Sequence, residues 1–336
     1  MNNLCIGLVA LVWSASIFSA GPPAKMSQEQ FDALMNEVSN WGRWGDKDQL
    51  GTLNIITAEK KIAAASLVKE GDSVSLALPL NTVSDQVNQK PFEHESFIFG
   101  GAEMEELGID PKDAAQAAGD VYKIDYHGFG HSHLDGINHF AYKGKMYNGY
   151  RFDNQNGQGF SNLGIENIAT NGVFTRGVLV DMPVFLGEKY LEPGVAITSE
   201  DLDAWEKASG IKVSAGDVLL VRTGRWQRVR EKGQWNFVGK AAGMHASVAT
   251  WLKERDVAAI GCDGVSDVMP SGVGVRVNPL HELVIVGMGM PIFDNLDLEE
   301  LSRMAKLKDR STFLFVAAPL KVVGGTGSPL NPIAVF

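Results

Sequence analysis

The sequence predicts an α/β fold, a single domain spanning residues 21–336 behind an amino-terminal leader. Three observations predict it. Short apolar runs bounded by turn residues recur along the chain, at Gly177–Met182, Asp217–Thr223, Val257–Gly261 and 312–317, each with the length of a buried strand. Stretches with apolar residues at helical spacing are interspersed with them, the pattern of a mixed sheet with helical cover. No internal repeat and no Pro/Gly/Ser-rich linker divides the chain.

Taken in order, residues 4–19 (LCIGLVALVWSASIFS) are uncharged and apolar, and Ala20-Gly21-Pro22-Pro23 follows. About 16 residues is short of the roughly 20 that span a bilayer. The run fits the apolar core of a secretory signal peptide over residues 1–20, which places the mature protein outside the cell or in the periplasm. Cleavage removes Cys5 and leaves Cys262 alone, so the mature chain makes no internal disulfide.

Residues 27–39 carry Phe31, Leu34, Met35 and Val38 at helical spacing, with Ser27 as a cap. A loop rich in Gly, Asp and Asn follows, with Trp41 and Trp44. Thr57 caps a second helix running to about Val68, and Val74–Leu80 alternates as a strand. Residues 84–118 are polar and broken by Pro91, Gly100-Gly101 and Pro111, which predicts a long surface excursion or lid. Val121–Tyr126 is a strand candidate leading into a histidine-rich segment. Further helices are expected over 198–209, capped by Thr198 or Ser199, and over 243–254.

Composition excludes several classes. The chain has 336 residues, 45% of them hydrophobic and 21% charged, which is ordinary globular usage. Its 30 basic against 40 acidic residues give a net charge of −10, and no basic face for nucleic acid is present. Two cysteines make no disulfide scaffold.

Chemistry concentrates between residues 127 and 139. If this segment is extended, alternate residues share one face, which carries His127, Phe129, His131, His133, Asp135 and His139. Imidazole nitrogens and carboxylate oxygens are the usual ligands of zinc, manganese or iron. An HxD pair places two of them close enough to converge on one ion. A metal site draws on more than one segment. His281, opening an apolar stretch, is the best candidate for the second and Asp294 for the third. His94 reads as a surface residue, His245 as a capping or packing residue and Cys262 as a packed core thiol. Ser266 and Asp267 follow a strand end, where site residues often lie.

The run FGHSHLDGINH (129–139) corresponds to the signature HxGTHxDxPxH. It is joined by NWGRWGDKDQLGTLN (40–54), RGVLVD (176–181), GDVLLVRTGRW (216–226), GCDGVSD (261–267) and HELVIVGMGMPIFDNLDLEEL (281–301). On these motifs, from about residue 40 onward, the chain resembles the metal-dependent cyclase family that includes bacterial kynurenine formamidase and isatin hydrolase, in its larger branch. The resemblance implies a mixed or barrel-like sheet core covered by helices. It matches His133 to a ligand of a first metal, Asp135 to a carboxylate bridging two, and His281 to a ligand of the second. Asp294 falls one residue from that metal's glutamate ligand, and His139 matches the catalytic histidine. The chain departs from the signature at its start, with Phe129 for the first His and His131 for the Gly. On an extended strand His131 lies within reach of the vacated ligand position, so it joins the expected metal set. Trp41 and Trp44 lie in the loop the family places near the substrate, where they would wall a flat ligand.

The implied cofactor is a divalent metal, zinc or manganese, as one ion or two. The implied reaction is hydrolysis of the C–N bond of an amide, formamide or lactam by metal-activated water, with His139 moving the proton. The implied partners are a small aromatic or cyclic amide and further copies of this chain. A lyase or oxygenase using the same ligands, and a non-catalytic ligand-binding protein, are the alternatives.

Overall fold

Strands β5 (Val173–Asp181), β7 (Val218–Arg222), β9 (Ala259–Cys262) and β10 (Ile292–Asp294) lie side by side in parallel and form the middle of a nine-stranded sheet. The computed structural model describes residues 21–153 and 155–336; the expected leader, with Cys5, lies outside the described residues. On one side β5 is flanked by antiparallel β11 (Thr312–Ala317), β13 (Ile333–Val335) and β1 (Ser73–Ser75). On the other, β10 is flanked by antiparallel β4 (His133–Asp135) and β12 (Gly327–Pro329). The sheet is therefore mixed, as the sequence predicts.

The continuous apolar runs of the central strands arise because both faces are covered. Val178, Val180, Leu219, Val221, Ile260 and Ile292 point into one core. Helices Gln28–Val38, Ser199–Ser209 and Val248–Glu254 contribute Phe31, Trp205 and Trp251 to that core. Leu179, Val218, Leu220, Ala259 and Phe293 point into the opposite core with Phe313, Phe315 and Leu301. Alternation along each strand thus feeds two apolar layers.

The helix starts follow their caps. Ser27 and Gln30 form a capping box, and Thr198 and Asp201 form another; the Thr57 hydroxyl accepts from the Lys60 amide. The second helix stops at Ala65, short of the expected Val68.

Three expectations change. The helix expected over 243–254 begins only at Val248, because Gly243–Met244 (β8) instead pairs with Ala196–Ile197 (β6). The strand expected over Val74–Leu80 pairs only at its first residues, and the Leu78 amide instead donates to the Ser132 hydroxyl. The excursion forms a hairpin of β2 (Glu93–Phe99) and β3 (Ala117–Lys123), nearly all of it exposed. Thus β3 ends before the histidine segment rather than running directly into it.

Candidate metal centre

Strands β4 and β10 position three ligand-type side chains by register alone. His133 and Asp135, two residues apart on β4, share a face. Antiparallel pairing sets Asp294 of β10 directly opposite His133, so its carboxylate joins them. Suitable ligand atoms of His133, Asp135 and Asp294 all lie within 4.8 Å of one another, and all three residues are buried. Asp294 stands at the carboxyl end of a parallel strand, where open α/β sheets gather their sites.

His281 completes the group from a separate segment. It precedes Glu282–Met288, which is wound as a π-helix, a geometry frequent at functional sites. Its Nε2 lies 3.2 Å from Asp294 Oδ2 and 3.5 Å from Asp135 Oδ2. Asp267 holds it there: its carboxylate accepts from the Leu280 and His281 amides and, at 2.6 Å, from His281 Nδ1. With the Nδ1 proton held by Asp267, Nε2 is the nitrogen that would give its lone pair to a metal in place of its own proton. The Ser266 hydroxyl donates to Asp294 Oδ1 at 2.9 Å and orients that carboxylate.

A second triplet, His127, Asp135 and His139, shares Asp135 with the first. His127 Nδ1 is 2.8 Å from Asp135 Oδ1, and His139 Nε2 is 3.8 Å from the same oxygen. The two imidazoles stack at 3.8 Å between ring centroids, 7° from parallel, and His127 Nε2 meets the Thr326 hydroxyl. Their side chains keep 24% and 25% exposure, against 2% for Asp135, so this is the side open to a ligand.

The electrostatics follow from crowding carboxylates and imidazoles together in a buried place. Burial alone would raise the Asp135 carboxyl, but His139, His133 and His127 hold it well below the usual carboxylate range. Burial would discharge His281, yet Asp294, Asp135 and Asp267 push it well above its ordinary value; Asp135 and Asp294 likewise raise His133 against burial. Burial brings the His139 imidazole down to about 4 against the pull of Asp135, with His127, His281 and His133 adding to the depression. His139 is thus neutral at neutral pH and able to accept a proton.

The residues fit a divalent ion. Asp135 Oδ1 and His127 Nδ1 are buried, 2.8 Å apart and outside hydrogen-bonding geometry with any partner among the described residues. Buried polar atoms normally have partners, and a cation between them satisfies both. Nitrogen and carboxylate oxygen donors in this mixture suit zinc, manganese or iron.

The structure brings together five of the expected residues: His133, Asp135, His139, His281 and Asp294. His131 joins neither triplet. The extended face drawn from the sequence breaks because only residues 133–135 form strand; 127–132 bend around Gly128 and Gly130. That bend returns His127 to Asp135 and sends the His131 ring elsewhere. Sequence reasoning left His127 without a role and noted Asp267 only for its place after a strand end, without giving it one; the signals for both were position, beside the signature and after that strand end.

Trp41 and Trp44 line no wall of the cavity beside His127. Trp41 donates its indole N–H to the Val286 carbonyl, and Arg43 stacks on Trp44, so both rings secure their loop. His94 pairs with Asp120 on the exposed hairpin, and His245 is satisfied by the Ser247 hydroxyl and the Ala24 carbonyl. Cys262 is buried, and burial raises its thiol well above the ordinary value, an inert packed group.

A buried brace supports the site. The Arg225 guanidinium lies against the Trp226 and Phe237 rings and donates to Asn295 Oδ1 and the Phe129 carbonyl. Asn295 donates in turn to the Gly128 and His131 carbonyls. Residues 128–131 are thereby pinned to the end of β10.

Comparison with known proteins agrees with this architecture. The family model described as "Putative cyclase" matches residues 74–267. A solved structure of a novel cyclase is 30% identical, with 89% of this chain and 100% of that chain covered and a TM-score of 0.77. An isatin hydrolase bound to the product analogue thioisatinate is 16% identical, covering 83% of this chain and 98% of its own, with a TM-score of 0.55. Isatin hydrolase A from Ralstonia solanacearum is 22% identical over the same shares, with a TM-score of 0.54. A search of curated proteins finds no match. Since the family model spans more than half of the chain, and a cyclase structure aligns at 30% identity over most of it, the chain belongs to the cyclase family.

Proposed function

We propose that the protein is a metal-dependent hydrolase that cleaves the C–N bond of a small amide, formamide or lactam. The observation that carries the reading is the convergence of His133, Asp135, Asp294 and His281, beside the buried Asp135 Oδ1 and His127 Nδ1, which no hydrogen bond among the described residues satisfies. Membership of the cyclase family and the fold shared with isatin hydrolases support it. His133, Asp135, Asp294 and His281 would hold a zinc or manganese ion, and His127 with Asp135 a second. Such an ion, when bound, lowers the pKa of water and polarises a carbonyl. Asp267 fixes the tautomer of His281. His139, neutral and facing the open side, takes the proton from water at Nε2 and returns it to the leaving nitrogen.

Metal analysis of the purified protein, coupled to a hydrolysis screen of formanilides, lactams and linear amides, tests the reading. We expect His133→Ala to lose metal and turnover together. We expect His139→Ala to lose turnover while at least one ion stays bound. Turnover that survives complete chelation refutes the proposal.

A further inference from the structure

A cavity of about 300 Å³ opens beside the metal cluster. That is the lower end of the roughly 300–1,000 Å³ usual for small-molecule sites. His127 is common to both, and His131, Phe129, Tyr126, Lys90 and Asn88 form part of the wall. Its floor therefore lies next to the less buried of the two triplets.

His131 is the unexplained group there. It is 3% exposed, and neither ring nitrogen has a hydrogen-bond partner among the described residues. The Lys90 main chain lies near the ring, yet no atom of it stands in hydrogen-bonding geometry with the imidazole. The backbone of His131 is heavily used: its carbonyl accepts from His133 Nδ1 and from Asn295 Nδ2. The main chain is thus clamped to the metal-bearing strand while the ring is left over. A buried imidazole without a partner is a cost to the fold, which a ligand atom in the cavity would remove.

We propose that His131 is a substrate-recognition residue, and that the cavity takes a carbonyl-bearing substituent, a carboxamide or carboxylate, carried by the substrate beyond its scissile bond. An imidazole always offers at least one N–H donor, which calls for an acceptor atom on the ligand, and a carbonyl or carboxylate oxygen supplies one. The inference deepens the hydrolase reading and rests on it.

Three fluorescent probes test it on the metal-loaded protein: 2-aminobenzamide, 2-aminobenzoate and aniline, which lacks the carbonyl. We expect wild type to prefer one or both carbonyl probes, and their ranking separates carboxamide from carboxylate. His131→Ala should weaken the preferred probe about tenfold, the ratio of one good hydrogen bond. Aniline binding and bound metal should stay unchanged. His131→Asn, which keeps a donor, should recover part of the loss. Metal loss in His131→Ala comparable to that in His133→Ala overturns the proposal, as does an equal effect on all three probes or a wild type without preference. If both variants lose their unfolding transition, His131 is a packing residue and the proposal also falls. Failure of the hydrolase reading is read separately, as wild-type protein that binds no metal or cleaves no amide.

Discussion

Asp267→Asn should weaken metal binding without touching a proposed ligand atom. The Asp267 carboxylate accepts from three donors: the Leu280 amide at 2.7 Å, the His281 amide at 3.3 Å and His281 Nδ1 at 2.6 Å. An asparagine has the same shape but only one accepting oxygen. With its oxygen toward Leu280, its NH₂ faces Nδ1, and the imidazole relieves the clash by moving its proton to Nε2, where the lone pair is needed. With the amide reversed, the NH₂ opposes the Leu280 N–H. Either arrangement sets donor against donor in a buried site. Loss of a residue that orients a metal-bound histidine typically lowers metal affinity 10- to 100-fold, or about 1.4–2.8 kcal/mol. The assay is competition for Zn²⁺ against a chromophoric chelator at fixed pH. Urea unfolding of the metal-free variant serves alongside it to separate affinity from stability. An affinity within about twofold of wild type, with the fold intact, refutes the argument that Asp267 sets the tautomer.

Two further predictions concern stability. Burial opposes ionisation of Glu206, but Arg255, Lys212 and the Val213 amide outweigh it and lower its carboxyl from 4.5 to about 2. A depressed folded pKa gives stability that is full above the unfolded value and lost as pH falls through the folded one. Glu206→Gln should therefore cost about 2–3 kcal/mol at neutral pH. It should also flatten the stability profile between pH 4.5 and about 2, read as urea midpoints across that window; an unchanged slope contradicts the assignment. Gly51 has φ +59°, and a Cβ there would stand 1.9 Å from the Gly289 carbonyl oxygen at the end of the π-helix. Gly51→Ala should cost about 3 kcal/mol or more by urea unfolding, and a loss below about 1 kcal/mol would show that the loop yields.

Local features were readable from the chain because they are local. Ser27, Thr57 and Thr198 start helices through oxygens that reach an amide three residues away. The runs around Val178, Leu220 and Ile260 are apolar on both faces because each strand serves two cores. The HxD pair of β4 follows from the two-residue period of a strand. What failed was extrapolating that period beyond residues 133–135. Gly128 and Gly130 let the preceding chain bend, so His127, eight residues before Asp135, reaches its carboxylate and His131 does not. No periodicity encodes such a bend.

The sequence alone determined the α/β class, the helix caps and a histidine–aspartate cluster able to hold a metal, since each depends on neighbours along the chain. Only tertiary structure decided which of those groups meet. Antiparallel register sets Asp294 opposite His133, the Asp267 hydrogen bond aims His281 at the carboxylates, and the Arg225–Asn295 brace seats the bend that divides His127 from His131. These contacts join residues from 14 to 164 positions apart in the chain. Their geometry is set by strand pairing and burial, which become definite only when the whole sheet has formed.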